Sequence, residues 1–501
     1  MKARMALRGG VACAAVVLAF ATCRPAEDRA TARGSTVVMA VRNVRDVLPD
    51  AVGLDFLFFL PLAKPNEHGE LEGVLARSWE HSADFKEWTY HLRTDVRWQD
   101  GVPTTAHDVK FTLDLMAEAG LGGFGIEKVT VVDDSTVTIR SQKHNYVDYL
   151  VYYPKHLLEE LDPKRFWEWE FWLQPMGNGP YRFVRHVPQT LMEFEANPDY
   201  YRGRPRIERV ILKFVGDAWL TELLAGNVDI ASGDLLQVSR IVRDPRFRVY
   251  YSIPYGAWAI YWRTDHPLFR DPRVRRALTL AIDRPELARR LNLPPEAPIT
   301  DAPRTWQQAR RREFPEPLSY DPDEARRLLE AAGWIDRDGD GVREREDRSF
   351  RFTAEVWNGR EAPQLAIYVQ QYLRAVGVRM EVVMLEEALM WEKLIGGDFE
   401  ALFFRHQPGP EAQWRDFGRE NRIGYRSPAA FEVINRIMAT GDPDEEDRLY
   451  LELAEIFRAE LPLTRLVFRP DVTFAHRRVR GLSTPFRADA NTHMEELWVE
   501  E

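Results

Sequence analysis

Polar and apolar positions alternate with a period of two at residues 88–93. Trp88, Tyr90 and Leu92 face one way, and Thr89, His91 and Arg93 the other, which predicts a strand with one buried face. Asp100-Gly101 and Pro103 then mark a turn. Thr105 is the expected N-cap of a helix, with Asp108 at capping-box spacing and Val109, Leu113 and Met116 along one face. Residues 128–140 predict a hairpin, because Val129 and Val131 stand against Val137 and Ile139 around Asp133-Asp134-Ser135. Further along, strand and helix patterns follow one another. A strand at 210–214 leads to a helix at 218–225 closed by Gly226. Asp271-Pro272 and Asp321-Pro322 each start a helix, the second ended by Gly333. Leu365, Val369, Leu373 and Val376 form a helix face ended by Gly377, and Val378, Met380 and Val382 alternate as a strand. This order predicts an α/β architecture.

At 501 residues the chain is too long for a single core, so two or three domains are expected. The net charge of −10 is spread through the chain with no basic stripe, which argues against a nucleic-acid partner. Two cysteines exclude a disulfide scaffold. Lys2, Arg4 and Arg8 precede an apolar run at 11–22, the pattern of an export signal. That run is shorter than the roughly 20 residues a membrane span needs. Residues 24–34 are polar and read as a flexible tether, and the folded part begins with an apolar strand at 36–41.

The stretch 71–116 carries Leu75, Ala76, Ser78, Trp79, Leu92, Arg93, Val96, Trp98, Asp100, Gly101, Pro103, Thr105, Ala106, Asp108, Val109 and Phe111. As a string it resembles the family 5 solute-binding proteins of ABC importers, the dipeptide, oligopeptide and nickel binders. Gly177-Asn178-Gly179-Pro180-Tyr181, the run 197–205, Leu224 to Asp229 and Val274 to Arg284 extend the resemblance, which covers residues 36–482. It implies a bilobed fold like that of type II periplasmic binding proteins: two α/β lobes with mixed sheets and a hinge, plus an additional small α+β domain. The implied division is residues 1–23 signal, 24–34 tether, 35–61 with 185–265 and 470–501 lobe I, 62–184 the extra domain, and 266–469 lobe II. It also implies a monomeric binder that captures a peptide-like or other small polar solute and delivers it to an ABC permease with its ATPase subunits. The run ending at Cys23 resembles a bacterial lipobox, so a periplasmic or surface protein tethered by lipid on Cys23 is expected.

Catalytic patterns are weak. His107-Asp108 falls where Asp108 caps a helix, and the spacing of His156 and Glu159 would suit a metal but has no second histidine element. Five aromatics within residues 166–172 suit domain packing, or alternatively a stacking wall for a ligand. Asp336, Asp338 and Asp340 with Gly341 resemble a calcium loop, although Asp347 stands where Glu is standard; an acidic turn without calcium is the other reading. Peptide-binding members carry an Asp after the strand at 400–404 that pairs with the peptide ammonium. Here that place reads Arg405-His406-Gln407-Pro408, without Asp. Ordinary peptides are therefore disfavoured, and Arg405 would suit an anionic group. An internal ion pair of Arg405 with a residue such as Glu411 is the alternative. By resemblance the candidate contacts are Tyr255, Trp258, Arg405, His406, Gln407 and Trp414. Two other functions fit the same sequence: a secreted hydrolase acting on glycans, which would need a facing carboxylate pair, and a lipid-anchored sensor without transport.

Overall fold

The structure is a computed structural model that describes residues 36–42, 55–66, 68, 70–121, 125–141, 146–252, 256–294, 316–406, 409, 413, 416–418, 420–484 and 492–500. Local chemistry sets its elements as the sequence predicts. Helix Ala106–Glu118 starts at Thr105, whose hydroxyl accepts from the His107 amide while Asp108 accepts from the Thr105 amide, a complete capping box. Asp271 and Asp321 cap helices Pro272–Leu280 and Pro322–Ala331, each with proline in the first turn. Helix Ala362–Ala375 ends before Gly377, whose φ of +83° only glycine takes without strain.

Two sheets carry the fold. The first has seven strands in the order Phe247–Tyr251, Val472–His476, Ile230–Gly233, Thr36–Val41, Arg209–Phe214, Leu191–Ala196 and Tyr181–Val187. The second has five: Arg379–Leu385, Arg351–Trp357, Ala401–His406, Gly256–Trp262 and Leu463–Arg469. Both mix parallel and antiparallel pairs. In the first, Asp229 ties the centre together. Its carboxylate accepts the Val38 amide at 2.9 Å and pairs with Arg478 at 2.7 Å.

Two expected boundaries move. Strand Gly256–Trp262, expected in lobe I, hydrogen-bonds between Ala401–His406 and Leu463–Arg469 and so belongs to the second sheet. Its residues from Ala257 to Trp262 are all buried, and such a strand carries no alternation to indicate its sheet. Strand Tyr181–Val187, which straddles the expected end of the extra domain at 184, is an edge strand of the first sheet.

Between residues 62 and 180 lies a four-stranded antiparallel sheet, Ala76–His81, Glu87–Leu92, Thr136–Ser141 and Ile126–Asp133. Tyr90, Val109, Leu113, Val137 and Ile139 share its apolar core. Most of the aromatics at 166–172 serve packing, while Trp167 is 46% exposed. Phe166, Trp169 and Trp172 are buried with Val37, Phe194 and Val210 of the first sheet, and this replaces the reading of a ligand wall. Gly177 and Gly179 let the chain pass the Phe58 backbone, where a Cβ on Gly177 would sit 1.7 Å from the Phe58 oxygen.

Candidate functional site

Among the described residues, the chain leaves the first sheet after Phe247–Tyr251 and re-enters it at Val472–His476, and the described ends of these passages bond to each other: the Ser252 amide donates to the Asp471 carbonyl, and the Asp471 amide to Ser252 Oγ, each at 2.9 Å. Three strands of the second sheet end beside this junction, and the ends of α/β strands are where the fold leaves space for ligands. Strand Ala401–His406 closes with Arg405 and His406, Leu463–Arg469 closes with Arg469, and Arg351–Trp357 is followed by Arg360 and Glu361. Register places Arg405 opposite Trp258 and Arg469 opposite Gly256.

Strand alternation sends Arg405 and His406 to opposite faces. Arg405 Nη2 donates to Glu387 Oε1 at 2.8 Å, and its guanidinium carbon lies 5.7 Å from the Trp357 ring centre. The pair is a third exposed or more on both sides, so it contributes little to stability. The partner is Glu387; Glu411, the partner expected from sequence, lies outside the described residues. His406 is enclosed instead. Its Nδ1 is 2.8 Å from the Tyr261 hydroxyl, and its Nε2 is 3.1 Å from Arg465 Nη2 and from Gln413 Nε2. Arg465 can only donate, so Nε2 accepts and the proton sits on Nδ1. Burial, and then the Arg465 charge, push His406 well below the usual imidazole range. It is therefore a neutral core group facing away from the Arg405 side, which corrects its expected place among the ligand contacts. Trp258 is fully buried, with its ring centre 5.8 Å from that of Trp357. Tyr255, Gln407 and Trp414 lie outside the described residues, as does Cys23.

The structure adds residues that the sequence did not single out. Arg469 lies 6.0 Å from the Trp258 ring centre, and its Nη2 donates to Asp471 at 3.3 Å. Arg360 reaches the same Asp471 oxygen at 3.5 Å. Burial first, and then the charge of Arg360, hold Arg469 below the usual guanidinium value. Glu361 is 1% exposed and accepts the Leu235 amide at 3.0 Å, a bond between the Arg360 loop and residues that follow the first sheet's strand Ile230–Gly233. Arg469-Pro470-Asp471 breaks the apolar run between strands Leu463–Arg469 and Val472–His476, but nothing in it points to Arg360 or Arg405.

The acidic turn does converge: oxygens of Asp336, Asp338, Asp340 and Glu344 all lie within 4.8 Å of one another. The fourth member is Glu344, where the sequence pointed to Asp347. Backbone amides already use these oxygens, with Gly339 and Gly341 donating to Asp336 at 2.8 and 3.1 Å and Arg351 pairing with Asp340. His156 and Glu159 do not share a site. His156 Nε2 is 2.8 Å from Asp100, and Glu159 pairs with Lys155. At the other end of the second sheet, a pocket of about 550 Å³ is lined by Glu355, Glu400, His266 and Lys393. Its charges pair internally, Lys393 with Asp398 at 3.0 Å and His266 with Glu400 at 3.4 Å.

Residues 70–416 match the sequence model of the bacterial extracellular solute-binding proteins, family 5. A putative ABC transporter peptide-binding protein of Brucella ovis is 27% identical over 439 residues, 81% of this chain and 80% of the relative. The oligopeptide-binding protein AppA of Bacillus subtilis is 26% identical over 434 residues, 81% of this chain and 80% of that protein. Among solved structures, the ABC transporter substrate-binding protein CtaP of Listeria monocytogenes superposes with a TM-score of 0.80 at 19% identity, covering 93% of this chain and 100% of that one. AppA solved with a nonapeptide gives 0.71 at 21% identity, covering 93% and 99%.

Proposed function

We propose a solute and an address for a chain that belongs to the bacterial extracellular solute-binding proteins of family 5 and supplies the substrate-binding component of an ABC importer. The solute is a small peptide-like molecule taken between the two sheets at the crossover junction, and it is released unaltered to a permease driven by ATPase subunits. The observation that carries this reading is the junction itself. Among the described residues two passages run between the sheets, and Arg360, Arg405 and Trp357 stand half open beside them at the ends of second-sheet strands. A solute touching both sheets only when they approach shifts the balance toward a closed form. Peptide-like chemistry is supported by the relatives described as peptide binders and by the nonapeptide held by AppA. The missing carboxylate at the Arg405 turn disfavours a free-ammonium anchor, since a desolvated ammonium needs a partner.

The address is the outer face of the membrane, with residues 1–23 removed or lipidated at Cys23, and the working form is a monomer. Among the described residues no helix is long and apolar enough to cross a membrane. Native mass spectrometry of protein purified from its own host, joined to small-angle scattering with and without the released cargo, tests the reading. A non-covalent cargo that shrinks the scattering profile is expected. A cargo consumed during incubation, with an unchanged profile, would overturn it.

A further inference from the structure

Residue 441 is a glycine that its own backbone does not require. Its φ lies outside the left-handed range, so the turn between helices Pro428–Ala439 and Pro443–Glu460 could take alanine without strain. What excludes a side chain is a neighbour from elsewhere. A Cβ on Gly441 would stand 2.8 Å from the Phe85 Cβ, 3.1 Å from the Phe85 carbonyl oxygen and 3.3 Å from that of Asp84. Phe85 is the converse case. It lies in the turn between strands Ala76–His81 and Glu87–Leu92 with a φ of +55°, where glycine or asparagine would be the unstrained choice. That turn is braced from within. The Phe85 ring stacks on His81 with centres 4.1 Å apart, Trp88 Nε1 donates to the Phe85 carbonyl at 2.8 Å, and Asp84 accepts from the Ser82 hydroxyl at 2.6 Å and from the Lys86 amide at 3.2 Å. The turn is thus a rigid knob, and Gly441 is the bare seat it meets.

Knob and seat belong to different halves. Gln99 Nε2 donates to the Tyr181 carbonyl at 3.1 Å and Arg202 pairs with Glu72 at 2.6 Å, which fastens the four-stranded domain to the first sheet's half. The helices on either side of Gly441 pack through Val433, Leu449 and Leu453 on Leu402 and Phe404 of the second sheet. We propose that the Phe85 turn and Gly441 form a latch, made when the halves swing together about the Ser252–Asp471 junction and broken when they part. It goes beyond the choice of solute, because it sets how long the halves stay shut. A glycine seat suits this role: two backbones meet and separate with no side chain to reorder.

Spin labels on Ala83→Cys and Arg448→Cys, both exposed, read the distance between the halves by pulsed electron paramagnetic resonance in the ligand-free full chain carrying Cys13→Ser and Cys23→Ser. A short distance is expected in that protein. Gly441→Ala should move population to a longer one, changing the ratio about tenfold. Adding Phe85→Gly removes the Cβ nearest the new methyl, at a position whose φ suits glycine, and should bring the short distance back. That recovery separates a latch from a damaged helix turn. A distribution that Gly441→Ala leaves unchanged would mean fixed packing and would overturn the latch while the solute-binding reading stands. Absence of the short distance before Gly441 is replaced, or a shift that Phe85→Gly does not reverse, would overturn it equally.

Discussion

Replacing Asp229 by Ala is the sharpest test of how the first sheet is held. The Asp229 carboxylate receives Arg478 Nε at 2.9 Å, Arg478 Nη2 at 2.7 Å and the Val38 amide at 2.9 Å. The two side chains are 5% and 19% exposed, so this is a buried pair, and the small values typical of surface pairs do not apply. Removing one partner of a buried pair costs about 3–5 kcal/mol, because the other charge stays behind unpaired. Arg478 keeps its bond to the Thr36 carbonyl at 2.7 Å, which moves the expected loss toward the lower end. The orphaned Val38 amide adds about 1–3 kcal/mol, not fully additive with the first loss. A net loss of about 4 kcal/mol is expected. Urea unfolding followed by tryptophan fluorescence reads it as a lower midpoint at constant slope. The double variant Asp229→Ala with Arg478→Met should recover part of the loss, since it removes the stranded charge. A single-variant loss under about 1 kcal/mol would place the pair in the weak surface class and refute the reasoning.

His406 is neutral in the fold and its pKa is depressed, so the unfolded chain binds the proton first. Stability should fall as pH drops below about 6.5, by up to about 1.4 kcal/mol per pH unit. His406→Gln should flatten that acid limb in urea melts at several pH values, and an unchanged limb would contradict the enclosed neutral ring. Gly177→Ala would drive a methyl into the Phe58 carbonyl and should cost about 3 kcal/mol or more, seen as a lower melting temperature or loss of soluble protein. At about 10 mM calcium, a loop with a dissociation constant near 1 mM would gain about 1.4 kcal/mol. Because amides and Arg351 already use the acidic turn, no such gain in thermal stability is expected on adding calcium or losing it to a chelator.

Much of the fold was legible because it rests on chemistry between near neighbours. Thr105 with Asp108, Asp271 with Pro272 and Gly377 each announce a helix end within a few residues. The glycines at 177 and 179 announce a tight passage, although only the structure names Phe58 as the neighbour. The sheet to which Gly256–Trp262 belongs was not legible, since a strand buried on both faces carries no face signal. At the candidate site, the absent Asp already points to an anionic partner, but Arg405 and His406 were grouped together as contacts, because the sequence ends the strand at 404 and only its extension to His406 sends them to opposite faces. The company of Arg405 was hidden: Arg360, Arg469 and Glu387 come from separate elements, and nothing in their local sequence says that they meet.

The reciprocal bonds between Ser252 and Asp471 have a mechanical consequence. Two loose strings would let the halves slide and shear, whereas linkers pinned to each other turn as one axle. Asp471 also receives Arg360 and Arg469, so whatever draws those arginines away tugs on the bearing itself.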